Sequence, residues 1–246
     1  IPLTNGHYVV RSPFWDNGPT ANAGAITWCN GFTGTAGPVT TANSLHGATA
    51  HDVVGEGGVT ALTNGNYVVC SPRWDNGPVV DAGAVTWGNG NGGTSGPITA
   101  ANSLVGSTAA DEVGRLGVTA LSNGHYVVRS PFWDNAPVFD VGAVTWGNGF
   151  TGSTGPVTAA NSLVGSTESD EVGRSGVVAL TNGNYVVSTA NWDNGLLVNA
   201  GAATWGNGLS GVFGPVSSAN SLVGTTAEDQ VASVGVVALT NGNYVV

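Results

Sequence analysis

The chain has no lysine, no methionine and few charged side chains of either sign. Five arginines stand against 15 carboxylates, the formal net charge is -10, and charged residues make up 8% of the 246 residues. Ordinary globular domains contain roughly a quarter. Because contacts to phosphate depend on clustered Lys and Arg, this composition excludes nucleic-acid binding and disfavours anionic membrane surfaces. Solubility must therefore rest on Thr, Ser, Asn and Gly.

Long apolar runs and catalytic motifs are also missing. No run approaches the roughly 18 to 20 apolar residues that span a bilayer, and no helical periodicity lasts for a dozen positions. The sequence contains no Walker loop, Gly-x-Ser-x-Gly elbow, Cys-x-x-Cys or His-Glu-x-x-His. We therefore predict no membrane insertion, no catalytic residue, no enzyme activity, no metal site and no cofactor.

Cysteine is scarce, and its two copies do not correspond to each other. Cys29 stands where another repeat has Gly88, and Cys70 stands where others have Arg11 or Arg129. We expect two unpaired thiols, with a disulfide or a metal pair as the alternative. The cysteines consequently do not indicate a redox compartment.

One eight-residue segment, with small variations, occurs five times. It reads Leu-Thr-Asn-Gly-Asn-Tyr-Val-Val from Leu62, and its copies recur every 59 residues, at Leu3, Leu121, Leu180 and Leu239. A fixed period of this length is the signature of a repeat architecture, in which each unit buries its apolar face against its neighbours. We predict one repeat array over 1–246, with units 3–61, 62–120, 121–179 and 180–238 and a partial fifth unit 239–246.

The second repeat predicts four short strands. Residues 58–62 and 66–71 are rich in β-branched and aromatic residues, and the Asn-Gly pair between them favours a hairpin with a type I′ turn. Residues 83–87 alternate in the manner of a third strand, and 97–106 contain the fourth. The fold class predicted is all-β, built from tandem four-stranded antiparallel units.

Tandem four-stranded units of this size indicate β-propeller-like blades. A β-solenoid or an open repeat array is the alternative. The size of the unit favours blades, because a solenoid coil is shorter and the Asn-Gly hairpin makes neighbouring strands antiparallel.

Three motifs resemble the FG-GAP repeat of integrin-α-type propellers. They are a Val-Gly pair before the first strand, a Ser-Pro after the second and a Gly-Ala-Val at the third, represented by Val54-Gly55, Ser71-Pro72 and Gly83-Ala84-Val85. The chain is also similar to the tandem repeats of large bacterial surface and filamentous-haemagglutinin-like proteins. The resemblance implies a propeller of an extracellular or cell-surface protein. Many FG-GAP blades carry a calcium loop between strands one and two, but here the turn is Asn-Gly without carboxylates, so we expect folding without calcium.

The triplet Trp-Asp-Asn, which recurs at the same position in each of the four repeats and is called here the Trp-Asp-Asn column, is the candidate ligand-binding site. An aromatic face beside a carboxylate and an amide can stack on a sugar and hydrogen-bond to it, whereas a structural turn capped by Asp and Asn is the alternative. The candidate residues are Trp15, Asp16, Asn17, Trp74, Asp75, Asn76, Trp133, Asp134, Asn135, Trp192, Asp193 and Asn194.

Three other columns favour structural roles. Trp28, Trp87, Trp146 and Trp205 end the third strand and are predicted to pack between units. Asp52, Asp111, Asp170 and Asp229 precede the first strand; we expect them to cap loops and be solvated, since a catalytic pair is needed only once. The four histidines, His7, His46, His51 and His125, share no common column apart from His7 with His125.

These observations favour a non-catalytic structural or adhesive repeat module of an extracellular or cell-surface protein. The alternative is a multivalent lectin-like propeller that binds a glycan through the Trp-Asp-Asn loops. The chain starts with a second strand and ends with a surplus first and second strand, over 236–239 and 243–246. We therefore expect a piece of a longer array, or self-association head to tail with neighbouring copies.

Overall fold

The computed structural model describes all residues, 1–246, and contains strands and turns without a helix. It accordingly has no helix that could cross a membrane. The chain forms two compact units. The first comprises Ile1–Val118 with Asn148–Pro156, and the second comprises Thr119–Gly147 with Val157–Val246.

Twenty short strands follow one another along the chain. Those of the first half are β1 Tyr8–Ser12, β2 Ala25–Cys29, β3 Ser44–His46, β4 Gly58–Ala61, β5 Tyr67–Ser71, β6 Ala84–Gly88, β7 Gly96–Pro97, β8 Ser103–Val105, β9 Val118–Ala120 and β10 Tyr126–Ser130. Those of the second half are β11 Ala143–Gly147, β12 Gly155–Pro156, β13 Ser162–Val164, β14 Gly176–Ala179, β15 Tyr185–Thr189, β16 Ala202–Gly206, β17 Gly214–Pro215, β18 Ser221–Val223, β19 Val237–Ala238 and β20 Tyr244–Val245.

Each unit contains two sheets of four or five strands. The sheets of the first unit have the orders β1-β2-β3-β7 and β4-β5-β6-β8-β12. Those of the second have the orders β9-β10-β11-β13-β17 and β14-β15-β16-β18, accompanied by the two-stranded β19-β20. The antiparallel meander β4-β5-β6-β8 confirms the expected all-β array of four-stranded units, and no sheet closes into a barrel.

The segment just before the fourth strand pairs with a different sheet from the fourth strand itself. Ser103–Val105 completes its own meander, whereas Gly96–Pro97 pairs in parallel with β3 of the preceding repeat. Gly155–Pro156 does the same against β8. The predicted fourth strand is therefore confirmed at Ser103–Val105. Gly96–Pro97 is an additional, unpredicted edge strand, which exists only because the preceding sheet offers it an edge.

The hairpin turn also differs from the type I′ prediction. The Leu62 N–H donates to Asn66 O at 2.8 Å and the Gly65 N–H donates to Leu62 O at 3.2 Å. Gly65 has a φ of 90°, but Asn64 has no positive φ. A three-residue loop with one left-handed glycine is the type I turn with a G1 bulge, so glycine is needed only at its last position.

The core of each unit joins side chains from successive repeats. In the first unit, Tyr67 and Val69 of β5 pack in one cluster with Val9, Ile26 and Leu45 of the first repeat. In the second unit, a matching cluster contains Leu121, Val127, Val144, Tyr185 and Val187. A repeat therefore buries its apolar face by contact with its neighbour, as expected for a repeat protein.

Candidate functional site

The Trp-Asp-Asn loop of the second repeat is a tight turn around a buried ring. Trp74 is 4% exposed, its N–H donates to Ser71 O at 3.1 Å, and its carbonyl accepts from the Gly83 N–H at 2.9 Å. The ring belongs to the hydrophobic core. Both faces of this tryptophan are therefore covered by protein and unavailable to a sugar.

Two of the other copies are buried in the same way, and one is not. Trp133 and Trp192 are each 3% exposed. Trp15 is only half-buried, and its ring lies edge-on to that of His46, with centroids 6.3 Å apart. The first repeat is thus the only one whose Trp-Asp-Asn loop leaves part of a ring accessible.

The aspartate of the loop accepts a hydrogen bond from a backbone N–H six residues further on. In the second repeat, Asp75 Oδ1 accepts from the Asp81 N–H at 2.9 Å. The same bond recurs in the other copies, at Asp16 with Asn22, Asp134 with Asp140 and Asp193 with Asn199. A carboxylate used in this way closes its own loop, which is the structural role described for Asp in turns.

The asparagine of the loop ties it to the rest of its repeat. Asn76 Nδ2 donates to Gly106 O at 3.1 Å, and Asn194 Nδ2 donates to Gly224 O at 3.0 Å. The backbone of this asparagine also forms an antiparallel bridge with the residue three positions further on. In the first repeat Asn17 pairs with Thr20, and in the third Asn135 pairs with Val138. The amide groups of Asn76 and Asn194 therefore help to fix the loop.

A second aspartate column lies in the loop before the first strand. Asp52 is fully buried, and its carboxylate accepts from the N–H groups of Ala48 and Thr49 and from the Thr49 hydroxyl, each at 2.8 Å. Its Oδ1 also accepts from the N–H of Asp75, in the next repeat, at 3.1 Å. The expected capping is present, but solvation is wrong for three copies, because Asp52, Asp111 and Asp170 are all 0% exposed. Asp229 alone is exposed.

A polar cleft of about 580 Å³ lies beside the second Trp-Asp-Asn loop and contains Asp75, Asp81, Glu112 and Arg73. Burial, followed by the charge of Asp75, raises the pKa of Asp81. Burial also raises the pKa of Glu112, against the lowering effect of Arg115. Arg115 forms an ion pair with Glu112. No group of three or more His, Cys, Asp or Glu residues is arranged to hold a metal ion.

The hydrogen bonds between repeats come from the third-strand tryptophans, which were predicted to pack between units, and from asparagines of the hairpin turn, for which no such contact was predicted. Trp87 Nε1, Asn64 Nδ2 and Asn66 Nδ2 all donate to Gly149 O, at 2.9, 2.8 and 3.0 Å. Trp28 and Asn5 donate in the same way to Gly90 O in the first unit, and Trp146 and Asn123 to Gly208 O in the second. The recurrence of Asn in the turn of every repeat was the available signal, but the sequence does not show that the partner of its side chain is a backbone carbonyl of the following repeat.

The remaining columns are structural as well. Trp28, Trp87 and Trp146 are half-buried at the junctions between repeats, whereas Trp205 is 43% exposed. His7 and His125 pack against the tryptophan of their own repeat, with ring centroids 4.7 and 4.8 Å apart. Cys29 and Cys70 form no disulfide, as expected, and both are buried.

The fold and these bonds define an all-β tandem-repeat protein whose polar columns hold its repeats together. The model of the family described as Repeat of unknown function (DUF5650) matches the chain four times, over residues 2–56, 61–115, 120–174 and 179–233. The matches cover most of the chain, so it belongs to this family of repeats. No curated protein sequence matches it.

This assignment corrects the expected membership of the FG-GAP family. The matching model is a different one, and no FG-GAP repeat is found. The motifs at Val54-Gly55, Ser71-Pro72 and Gly83-Ala84-Val85 consist of small residues that any short-stranded repeat needs at turns and close approaches. At Gly83, for example, φ is 75° and a Cβ would overlap the backbone of Val113. These residues reflect turn geometry and do not carry a family signature.

Proposed function

We propose that this chain is a non-catalytic structural or adhesive repeat module of an extracellular or cell-surface protein. Its partners are neighbouring repeats or further copies of itself. The observation that carries the proposal is that the side chains of the Trp-Asp-Asn loops contact other parts of the protein and are not left free for a ligand. The Trp74, Trp133 and Trp192 rings are buried and the loop aspartates close their own turns. The neutral Thr, Asn, Ser and Gly surface supports an extracellular location, and the arrangement of repeats as propeller blades stays a prediction.

A glycan array tests this function directly. A structural module gives no binding above background on a broad array, and Trp15→Ala changes nothing. Trp15 is the relevant position because its ring is half-exposed and Asp16 beside it is exposed. Thermal unfolding and circular dichroism of the variant serve as the control for an intact fold.

The lectin-like alternative has one observation in its favour, which is that same accessible ring. An exposed aromatic face beside a carboxylate is a feature of sugar-binding sites. A glycan signal that disappears in Trp15→Ala while the fold is retained would support the alternative and contradict the structural module. Because only Trp15 is accessible among the four loop tryptophans, a lectin of this structure would have one sugar-binding site, whereas the sequence predicted four.

A further inference from the structure

An Asn-Gly pair follows the third strand of every repeat. The four pairs are Asn30-Gly31, Asn89-Gly90, Asn148-Gly149 and Asn207-Gly208. Glycine has no Cβ, so its backbone nitrogen is not shielded from the side-chain amide carbon of the preceding asparagine. Attack of that nitrogen on the amide carbon closes a five-membered succinimide ring and releases ammonia. The four pairs share this sequence, but they differ in the groups that surround them.

In the first repeat, the nitrogen that would attack is hydrogen-bonded to a base. The Gly31 N–H donates to Nδ1 of His7 at 3.2 Å. A ring nitrogen that accepts a hydrogen bond carries no proton, so the bonded imidazole is neutral and able to take a proton. The His7 ring packs against two aromatic rings, with its centroid 4.7 Å from that of Trp28 and 5.1 Å from that of Phe32. His7 is thereby positioned as a general base for the Gly31 nitrogen.

The amide that would be attacked is hydrogen-bonded through its oxygen. Asn30 Oδ1 accepts from the N–H groups of Phe32 at 2.9 Å and Thr33 at 3.2 Å. When the Gly31 nitrogen attacks Cγ, negative charge develops on this oxygen, and two backbone donors aimed at it stabilise that charge as an oxyanion hole does. Gly31 is exposed, so water can reach the ring that forms.

The second repeat has the same Asn-Gly pair without the base. The Gly90 N–H donates to Oδ1 of Asn66 at 3.0 Å, and an amide oxygen does not take up a proton near neutral pH. Asn89 Oδ1 accepts from one backbone N–H, that of Asn91, at 2.8 Å. The fourth repeat has the same arrangement as the second. These two repeats therefore serve as internal comparisons for the first.

The third repeat contains the groups of the first. His125 stands at the position of His7 and packs on the tryptophan of its own repeat in the same way, with ring centroids 4.8 Å apart. Asn148 Oδ1 accepts from the N–H groups of Phe150 and Thr151 at 2.9 and 3.3 Å. The arrangement is consequently built from residues of a single repeat and does not depend on the position of that repeat in the array.

We propose that Asn30 is a site of self-modification, at which His7 and the two backbone donors accelerate conversion of the asparagine to aspartate and isoaspartate. His7 takes the proton of the Gly31 nitrogen, the bond from this nitrogen to Asn30 Cγ forms, and the bond from Cγ to Nδ2 breaks. The departing nitrogen receives the proton from His7 and leaves as ammonia. Water then opens the succinimide at either carbonyl. The net reaction consumes one water molecule, releases one ammonia molecule and needs no oxidant or reductant.

This reaction occurs once at a given asparagine, so it is compatible with a module that turns over no substrate. The inference goes beyond the proposed function and does not depend on it. The product has a carboxylate where the chain had an amide, and its isoaspartate form lengthens the backbone by one atom. The same groups around Asn148 make that residue a second site of this kind.

Peptide mapping by mass spectrometry, during incubation of the folded chain near neutral pH, follows each Asn-Gly pair separately. We expect Asn30 to deamidate at least about fivefold faster than Asn89. His7→Asn gives the first repeat the residue found in the second, and it should lower the rate at Asn30 by about the same factor while Asn89 is unaffected. A variant that had lost its fold would instead react faster at every pair, because a flexible chain reaches the attacking geometry more readily. An Asn30 rate equal to that of Asn89, or one that His7→Asn leaves unchanged, would overturn the proposal.

A gain of reactivity tests the role of the base in another repeat. Asn184→His places an imidazole at the position from which Asn184 now accepts the Gly208 N–H. Deamidation of Asn207 should then rise at least about threefold, with Asn89 as the unchanged reference. No rise at Asn207 would contradict the role given to histidine.

Unfolding in concentrated urea separates the structure from the local sequence. The unfolded chain holds neither the base nor the backbone donors in place, so the rates at Asn30 and Asn89 should become equal. A difference of the same size in urea would assign the faster rate to the neighbouring residues in the sequence and would overturn the proposal.

Discussion

At the scale of single residues, buried polar groups are paired in the same way in successive repeats. The hydroxyl of Thr86 lies 2.7 Å from that of Ser103 across two strands, and Thr27 with Ser44 and Thr145 with Ser162 repeat the pair. The buried aspartates are likewise surrounded by donors. A polar group in a core costs free energy unless it is hydrogen-bonded, so these residues favour one register over its alternatives.

Removing the buried carboxylate of Asp111 should be costly. It accepts from the N–H groups of Ser107 and Thr108 and from the Thr108 hydroxyl, at 2.7 to 2.8 Å. We expect Asp111→Ala to lower the free energy of unfolding by about 3 kcal/mol, because buried donors lose their acceptor. Urea unfolding measures the change. The control is Asp229→Ala, where the same three bonds are exposed to water and the loss should be clearly smaller.

A second residue-scale prediction concerns the glycine opposite each buried tyrosine. Gly88 pairs with Tyr67 across β5 and β6, and a Cβ at Gly88 would overlap the tyrosine ring. We expect Gly88→Ala to lower the free energy of unfolding by about 2 to 3 kcal/mol, as overpacked cores do. Gly92→Ala is the control, since a Cβ there meets nothing within 4 Å. Equal effects in thermal unfolding of the two variants would contradict the steric explanation. In the first repeat, Cys29 stands at the position equivalent to Gly88, and the tyrosine opposite it, Tyr8, is only half-buried.

At the scale of the strand and the hairpin, the turn is also the connection to the next repeat. Asn64, which lies in the turn before Gly65, donates its side-chain amide to Gly149 O. Trp87 at the end of β6 reaches the same carbonyl. A short meander has little core of its own, so three donors that converge on one carbonyl fix the position of the following loop.

Replacing the indole nitrogen at this junction should weaken the first unit. We expect Trp87→Phe to lower the free energy of unfolding by about 1 to 2 kcal/mol, through the lost hydrogen bond and part of the packing. The matched control is Trp205→Phe, whose ring is 43% exposed, and its effect in dilute solution should stay below about 0.5 kcal/mol. Guanidinium unfolding at low protein concentration compares them, and an equal loss would exclude the junction as the cause.

Elements formed by interactions between residues close in sequence could be predicted, whereas elements formed by contacts with another repeat could not. The four strands of a repeat were predictable because the alternation around Tyr67 and Val85 and the Asn-Gly turn are local signals. The edge strand at Gly96–Pro97 was not, since it depends on β3 in another repeat. The Trp-Asp-Asn column was correctly located as a loop, but burial of Trp74 depends on packing between repeats, and no pattern within one repeat determines that.

At the scale of the whole molecule, the scarcity of charge makes the response to pH depend on a few groups. With no lysine in the chain, the side chains that titrate in the alkaline range are chiefly the five tyrosines and two cysteines. Burial raises the pKa of Tyr67 and of Tyr185 to about 12 in the folded protein. One of these residues lies in the core cluster of each unit.

These tyrosines predict alkaline unfolding with a defined onset. Below pH 10 both are neutral in the folded and unfolded chains, so their full contribution to stability is present. Between pH 10 and 12 the unfolded state loses their protons while the folded state retains them, and stability should fall by about 1.4 kcal/mol per pH unit for each group. Urea midpoints measured from pH 9 to 11.5 give this slope. In the double variant Tyr67→Phe with Tyr185→Phe, which keeps both rings, the fall should become markedly shallower. An unchanged slope in the double variant would show that other groups cause the alkaline loss.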